Sequence, residues 1–257
     1  KARVAEVQAL LSEKAQAGWQ KRADVINALA MTWRDLNEFE RARDSYLSAL
    51  RAPDSGAGVP IRSIEQLANV EARLAERTGR ATPLVASILR LEALVQSTDP
   101  AAQLAAEPEK QRSNNLERHA LLASAYKRLA SMQAANLLSS QLQADDQEQM
   151  GRDMHESLLQ SVRYYRAATE SEGQGEDDDP YPLLNRLALE AVVAAEEPSF
   201  DHTSALESVR RCARLARSRF ASQHGFWNAV MQADALLVEY LLAGELGRAG
   251  DAGDKVA

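Results

Sequence analysis

A single cysteine, Cys212, stands in 257 residues. That excludes an internal disulfide and a thiolate zinc cluster, and it suits a reducing compartment, read here as the cytoplasm. Aromatic residues make up only 5%, with 12 Gly and 8 Pro, and the β-branched and aromatic runs that feed sheets are scarce. No stretch approaches the roughly 18 apolar residues of a membrane span, and the start shows no signal-peptide pattern. Positive charge is in deficit: 30 Lys and Arg face 37 Asp and Glu, for a net charge of −7. Such a chain is repelled by phosphate backbones and anionic bilayers, so neither nucleic acid nor membrane is expected as a partner.

The usual signatures of catalysis are missing as well. There is no glycine-rich phosphate loop, no Gly-x-Ser-x-Gly elbow and no spaced histidine pair on a helix face. His119, His155, His202 and His224 are dispersed, with His119 on a packed face. The acidic runs Asp145-Asp146 and Glu176–Asp179 are consecutive rather than alternating, which suits solvated loops and helix caps better than a calcium loop. The chain is read as non-catalytic, without cofactor or metal.

What is abundant is helix-forming sequence. Hydrophobic residues reach 45%, led by Ala and Leu, enough to bury a continuous core. Amphipathic periodicity predicts ten helices, at about 2–16, 19–36, 38–52, 61–77, 82–97, 114–144, 152–171, 181–196, 203–222 and 226–243. Thr82-Pro83 and Asp179-Pro180 read as caps followed by Pro in the first turn, and Asn114 with Glu117 as a capping box. Residues 53–60, 98–113 and 172–179 read as loops or linkers, and 141–151 as a loop or a solvated helical continuation.

A repeat runs through these helices. The pair Leu-Ala, with a residue four past the Leu on the same side, occurs at Leu29-Ala30 with Trp33, Leu67-Ala68 with Glu71, Leu122-Ala123 with Tyr126, and Leu187-Ala188 with Ala191. Three of the following helices carry a small, a bulky and a small residue at offsets of four and three: Ala42, Tyr46, Ala49; Ser161, Tyr165, Ala168; Ala205, Val209, Cys212. These offsets hold one helix face, so a knob sits between two holes. Cys212 in a small slot reads as a buried, inert thiol. Residues 82–97 lack this signature, although Leu84, Ile88 and Leu91 form a stripe.

On these residues the chain resembles the tetratricopeptide repeat (TPR) family. Ile26–Pro53 matches best, through Ile26, Leu29, Ala30, Trp33, Asn37, Phe39, Ala42, Tyr46, Ala49, Leu50 and Pro53. The other units are looser. The Leu-Ala pairs recur at 38, 55 and 65 residues, against a family period of about 34. The resemblance implies an all-α, TPR-like α-solenoid of about five antiparallel helix pairs, some degenerate. As a single domain it covers 1–246, with pairs at about 19–52, 61–97, 114–171 and 180–222, a final helix at 226–243 and a flexible tail at 247–257. A looser resemblance rests on Ser124–Ala130 and Asp179–Asn185. These look like the TPR regions attached to bacterial caspase-like (CHAT) peptidases and the central regulatory region of apoptosis-signal-regulating kinases. With Lys1 rather than Met at its start, the chain reads as a domain of a longer bacterial protein or a chain processed at its start.

In TPR proteins the side of each first helix opposite the packing stripe lines a concave groove. Here that side holds Asn27, Met31 and Arg34, then Arg62, Glu65, Asn69 and Arg73, then Ser124, Lys127 and Arg128, then Asn185 and Arg186. Six cations face one acid in an acidic chain. The resemblance therefore implies a regulatory scaffold that binds an acidic protein or peptide segment, with a peptidase or kinase domain in the same polypeptide. The competing reading is ordinary solvated charge on a structural spacer that joins flanking effectors and binds nothing itself.

Overall fold

A computed structural model gives the architecture and describes residues 2–12, 18, 21–52, 61–96, 108–139, 143–170, 180–193, 201–222, 224 and 226–244. The loops expected at 53–60 and 172–179, the acidic run 176–179, residues 98–107 of the linker and the tail 247–257 lie outside the described residues. Ten helices and no strand occur among the described residues. They are α1 (Ala2–Ser12), α2 (Ala23–Asp35), α3 (Phe39–Arg51), α4 (Ile61–Thr78), α5 (Ala81–Gln96), α6 (Pro108–Ser139), α7 (Ala144–Glu170), α8 (Pro180–Val193), α9 (His202–Ser222) and α10 (Phe226–Leu242). The chain divides into two compact units, Lys1–Ser97 and Thr98–Ala257.

In the N-terminal unit the turn between α2 and α3 is closed by Asn37, whose φ of 61° is left-handed. Its N–H donates to the Arg34 carbonyl and that of Glu38 to the Trp33 carbonyl, both at 2.9 Å. Two carbonyls left open at the helix end are thereby satisfied, and Asn tolerates this backbone better than most residues. Gly79, at φ 68°, closes α4 in the same way, with Arg80 N–H reaching the Ala75 carbonyl at 3.1 Å. The turns fold α3 and α5 back on α2 and α4. Ala30, Trp33, Ala42, Tyr46, Leu67, Val70 and Leu74 then form one core, with Val4 and Val7 of α1 packed on it. Ala30, Ala42 and Tyr46 retain no exposed surface.

The C-terminal unit repeats the device at larger scale. Ala123, Val162, Tyr165 and Leu189 join α6, α7 and α8. Leu184, Leu187, Ala205, Val209, Cys212, Ala235, Val238 and Leu242 join α8, α9 and α10. Cys212 is buried in its small slot. Burying a side chain the size of Val209 or Leu187 stabilises by about 1.5–3 kcal/mol, so these stripes hold the helices together.

Four sequence expectations are corrected. Asn114 does not open its helix: α6 begins at Pro108, where a residue without an N–H costs nothing, so 108–113 is helix rather than linker. The helix expected from 152 begins at Ala144, so of the two readings of 141–151, loop or helical continuation, residues 144–151 take the helical one, with Asp145 and Asp146 in the first turn of α7, where the positive end of the helix dipole favours them. Thr82 is not the cap, because α5 already begins at Ala81.

The fourth correction concerns α5, which does carry a small slot. Ser87 is fully buried and donates to the Ala68 carbonyl at 2.6 Å, as Ser161 donates to the Ala123 carbonyl at 2.8 Å. Each hydroxyl meets the Ala of a Leu-Ala pair. These contacts also explain the uneven spacing of the repeat. From Ala30 to the end of α2 is about 5 residues, whereas from Ala123 to the end of α6 is about 16. The helices of the third pair thus run about 16 Å farther past their contact than α2 does.

Candidate functional site

The residues expected on the first-helix face fall in both units. In the N-terminal unit Asn27, Met31 and Arg34 lie on α2, and Arg62, Asn69 and Arg73 on α4. Ser63 Oγ donates to Asn27 Oδ1 at 2.7 Å, and Arg34 Nη1 donates to Gln66 Oε1 at 2.6 Å, tying α2 to α4. Arg34 also pairs with the exposed carboxylate of Asp35 at 2.8 Å. Met31 and Arg62 are exposed.

Two members of this set are engaged within the unit itself. Glu65, counted as the single acid of the face, is buried. Arg73 donates through Nε to Asn69 Oδ1 at 3.4 Å, and its guanidinium carbon lies 5.6 Å from the centre of the Phe39 ring. It is engaged with the start of α3 through a cation–π contact.

In the C-terminal unit Lys127 and Arg128 lie on α6, Asn185 and Arg186 on α8. Lys127 Nζ donates to Asn185 Oδ1 at 2.6 Å. The other side of that amide donates from Nδ2 to the Tyr181 carbonyl at 2.9 Å, which turns its oxygen toward the lysine. Arg128 donates to the hydroxyl of Ser124 and to the Ser124 carbonyl one turn earlier. Arg186 donates to Thr169 Oγ1 of α7 at 2.9 Å and lies 3.7 Å from the Glu190 carboxylate, which also accepts from Arg166 at 2.6 Å. Of these cations, Lys127 is held by a neutral group while Arg186 has a carboxylate beside it.

The remaining candidates sit in structural surroundings. His119 is half-buried, with Nδ1 2.8 Å from the Asn115 carbonyl, a contact that requires the proton on Nδ1. Its ring tilts against Tyr164 at 6.2 Å. Tyr165 is fully buried; burial, then the neighbouring Tyr181, pushes its hydroxyl well above the usual tyrosine range. Burial likewise pushes Tyr46 up, opposed by Arg34. Among the described residues no three His, Cys, Asp or Glu side chains converge to hold a metal ion, and no helix is long and apolar enough to cross a membrane.

The sequence reading missed one cationic feature. Arg210, Arg214 and Arg217 lie one turn apart on α9 and line a cleft against α10. Their offsets of four and three were visible in the sequence, but the charge count was confined to the first helix of each pair.

Compared with known protein families, residues 38–190 match the family described as TPR-S: Tetratricopeptide Repeats-Sensor. The match runs from the cap of α3 into α8 and covers more than half of the chain. No curated protein and no solved structure matches. Repeats of this type generally mediate protein–protein interactions and serve as non-catalytic helical scaffolds. With its Leu-Ala helices, its small-slot partners and this match, the chain belongs to the Tetratricopeptide Repeats-Sensor family.

Proposed function

We propose that the chain is a regulatory interaction module that holds an acidic segment of a protein partner against its first-helix faces. One observation carries the reading: half-buried Lys127 is braced by the neutral Asn185 amide, across α6 and α8. A cation braced by a neutral group in this way loses conformational freedom. An incoming carboxylate then meets an oriented donor at less entropic cost. Arg128 stands one residue on, held by Ser124. The primary contacts are therefore Lys127, Arg128, Asn185 and Arg186 in the C-terminal unit; in the N-terminal unit Asn27, Met31, Arg34, Arg62, Asn69 and Arg73 form a candidate face of their own. A regulatory place within a longer bacterial, cytoplasmic polypeptide bearing a peptidase or kinase domain belongs to the same reading.

The spacer reading draws on the N-terminal unit. There Asn27–Ser63 and Arg34–Gln66 join neighbouring helices, which is what a rigid connector requires.

The test compares labelled peptides rich in Asp and Glu with neutral peptides of equal length, against the wild type and the Lys127→Glu, Arg128→Glu double variant. Acidic peptides should bind preferentially and lose affinity as salt rises, since screening acts over roughly 8 Å at physiological ionic strength. The double variant should lose that preference with helicity unchanged. Equal affinities for wild type and variant would leave the spacer reading in possession.

A further inference from the structure

Helix α10 carries apolar side chains on two opposite sides. In the pairs α2/α3, α4/α5, α6/α7 and α8/α9, a first helix is followed by a partner that meets it at a small residue. α10 takes the next first-helix place, with Ala235, Val238 and Leu242 buried in the core shared with α8 and α9. Its opposite side carries Ala229, Ala233, Leu236, Leu237 and Tyr240, every one exposed. Leu236, Leu237 and Tyr240 show 53%, 56% and 51% of their surface. A helix apolar on both sides is ordinarily covered on both.

Beside that face runs the arginine row of α9. The cleft between the two helices has a volume of about 330 Å³ and is lined chiefly by Arg210, Arg214, Arg217, Gln232, Leu236 and Glu239. Arg210 is paired with Glu239 at 2.8 Å. Arg214 and Arg217 are exposed and have no carboxylate partner among the described residues. The α9 wall is therefore cationic, and the α10 wall sets Leu236 between Gln232 and Glu239, in a chain of net charge −7.

We propose that this cleft and the outward face of α10 dock an amphipathic α-helix of a partner protein. That helix carries an apolar stripe with Asp or Glu along one flank. The exposed row Leu236, Leu237 and Tyr240 keeps a helical spacing, and arginines one turn apart match carboxylates spaced three or four residues along a facing helix. A second copy fits less well: antiparallel α10 helices related by a two-fold axis would bring the two arginine rows together, like against like. Residues 245–257 contain Gly247, Gly250 and Gly253, with only Leu246 and Val256 as large apolar residues, too few for a stripe. The proposal is independent of the Lys127 face and lies outside residues 38–190.

The test uses two labelled synthetic helices of about 18 residues, five turns, sharing one Ala/Leu stripe but carrying Glu or Lys on the flank. Fluorescence anisotropy should show the Glu peptide binding about tenfold or more tightly than the Lys peptide. Arg214→Glu with Arg217→Glu should reverse that order, and Leu237→Asp should abolish binding of both. All three substitutions are at exposed positions, and circular dichroism should show each variant folded. Lys127→Glu with Arg128→Glu should leave this binding intact, which separates it from the face proposed above. Equal affinity for the two peptides, or none for either, overturns the proposal. So does a dimer in light scattering that Leu237→Asp dissociates, which would give the face to a second copy. Binding to phosphatidylglycerol vesicles in preference to the Glu peptide would assign it to a membrane instead.

Discussion

Replacing Ala42 with Leu sets an isobutyl group where α3 meets α2. Ala42 and its core neighbours Ala30 and Tyr46 have no exposed surface, and Trp33 retains 3%. None can yield outward, because Trp33 is covered on one face by the Arg41 guanidinium, 5.0 Å from the ring centre. The added methylenes would be worth about 0.8 kcal/mol each in an open cavity. Without one they force side chains off their rotamers and move the backbone, at a net cost of about 1–3 kcal/mol. For a unit of about 100 residues each kcal/mol lowers the melting temperature by about 4–8 °C, so a fall of about 4–24 °C is expected. Ala28→Leu on the exposed side of α2 is the control, with an expected effect within about 0.5 kcal/mol. Calorimetry gives the melting temperatures, and hydrogen exchange of peptides covering α2 and α3 shows where protection falls. Indistinguishable melts for Ala42→Leu and Ala28→Leu would refute the small-slot argument in the unit where it is strongest.

The buried hydroxyls should behave unlike an exposed one. Ser87→Ala and Ser161→Ala each remove a hydrogen bond between helices and should cost about 1 kcal/mol in urea unfolding. Ser48→Ala, whose hydroxyl serves only its own helix, should cost little; equal losses at all three positions would count against the inter-helix role. The pH dependence follows from Tyr165 and Tyr46, both raised in the fold above the value of about 10 they have when unfolded. Below pH of about 10 both states hold the proton and the full stability is present. As pH rises beyond that, the unfolded chain releases protons that the fold retains, so stability declines toward the folded ionisation. Unfolding free energy measured across this range should fall less steeply for Tyr165→Phe combined with Tyr46→Phe, and an unchanged slope would overturn the assignment.

Helix content and packing register were legible because both rest on short-range chemistry. Ala30, Ala42, Tyr46, Ala49, Ser161, Tyr165, Ala168, Val209 and Cys212, all named from offsets of three and four, are buried. The missed slot at Ser87 has a physical reason. Its helix continues with the bulky Leu91, but Leu94 stands where the other partners carry a small residue. What identifies Ser87 is a hydrogen bond to a carbonyl 19 residues earlier, and no local pattern reveals that. The start of α6 was placed late because Asn114 imitates a cap, while Pro108 is an equally good first residue. On the candidate face, residue identity was readable but engagement was not. Arg73 rests on Phe39 and Glu65 is buried, since each side chain follows a neighbour from another helix that the sequence alone does not align.

The contact between Ala123 and Ser161 lies about 16 residues from the end of α6 and about 17 from the start of α7, some 24 Å along each helix. Packing continues on the turn side of that contact, where Ala130 and Ser157 are both buried. Length can be added or removed at the turn in whole helical steps without disturbing the anchor. Within this unit, reach and stability therefore fall to different residues: the exposed stretch from Gln143 to Gln149 adds to how far the hairpin extends, while buried Ser161 with Ala123 and the core around them hold its helices together.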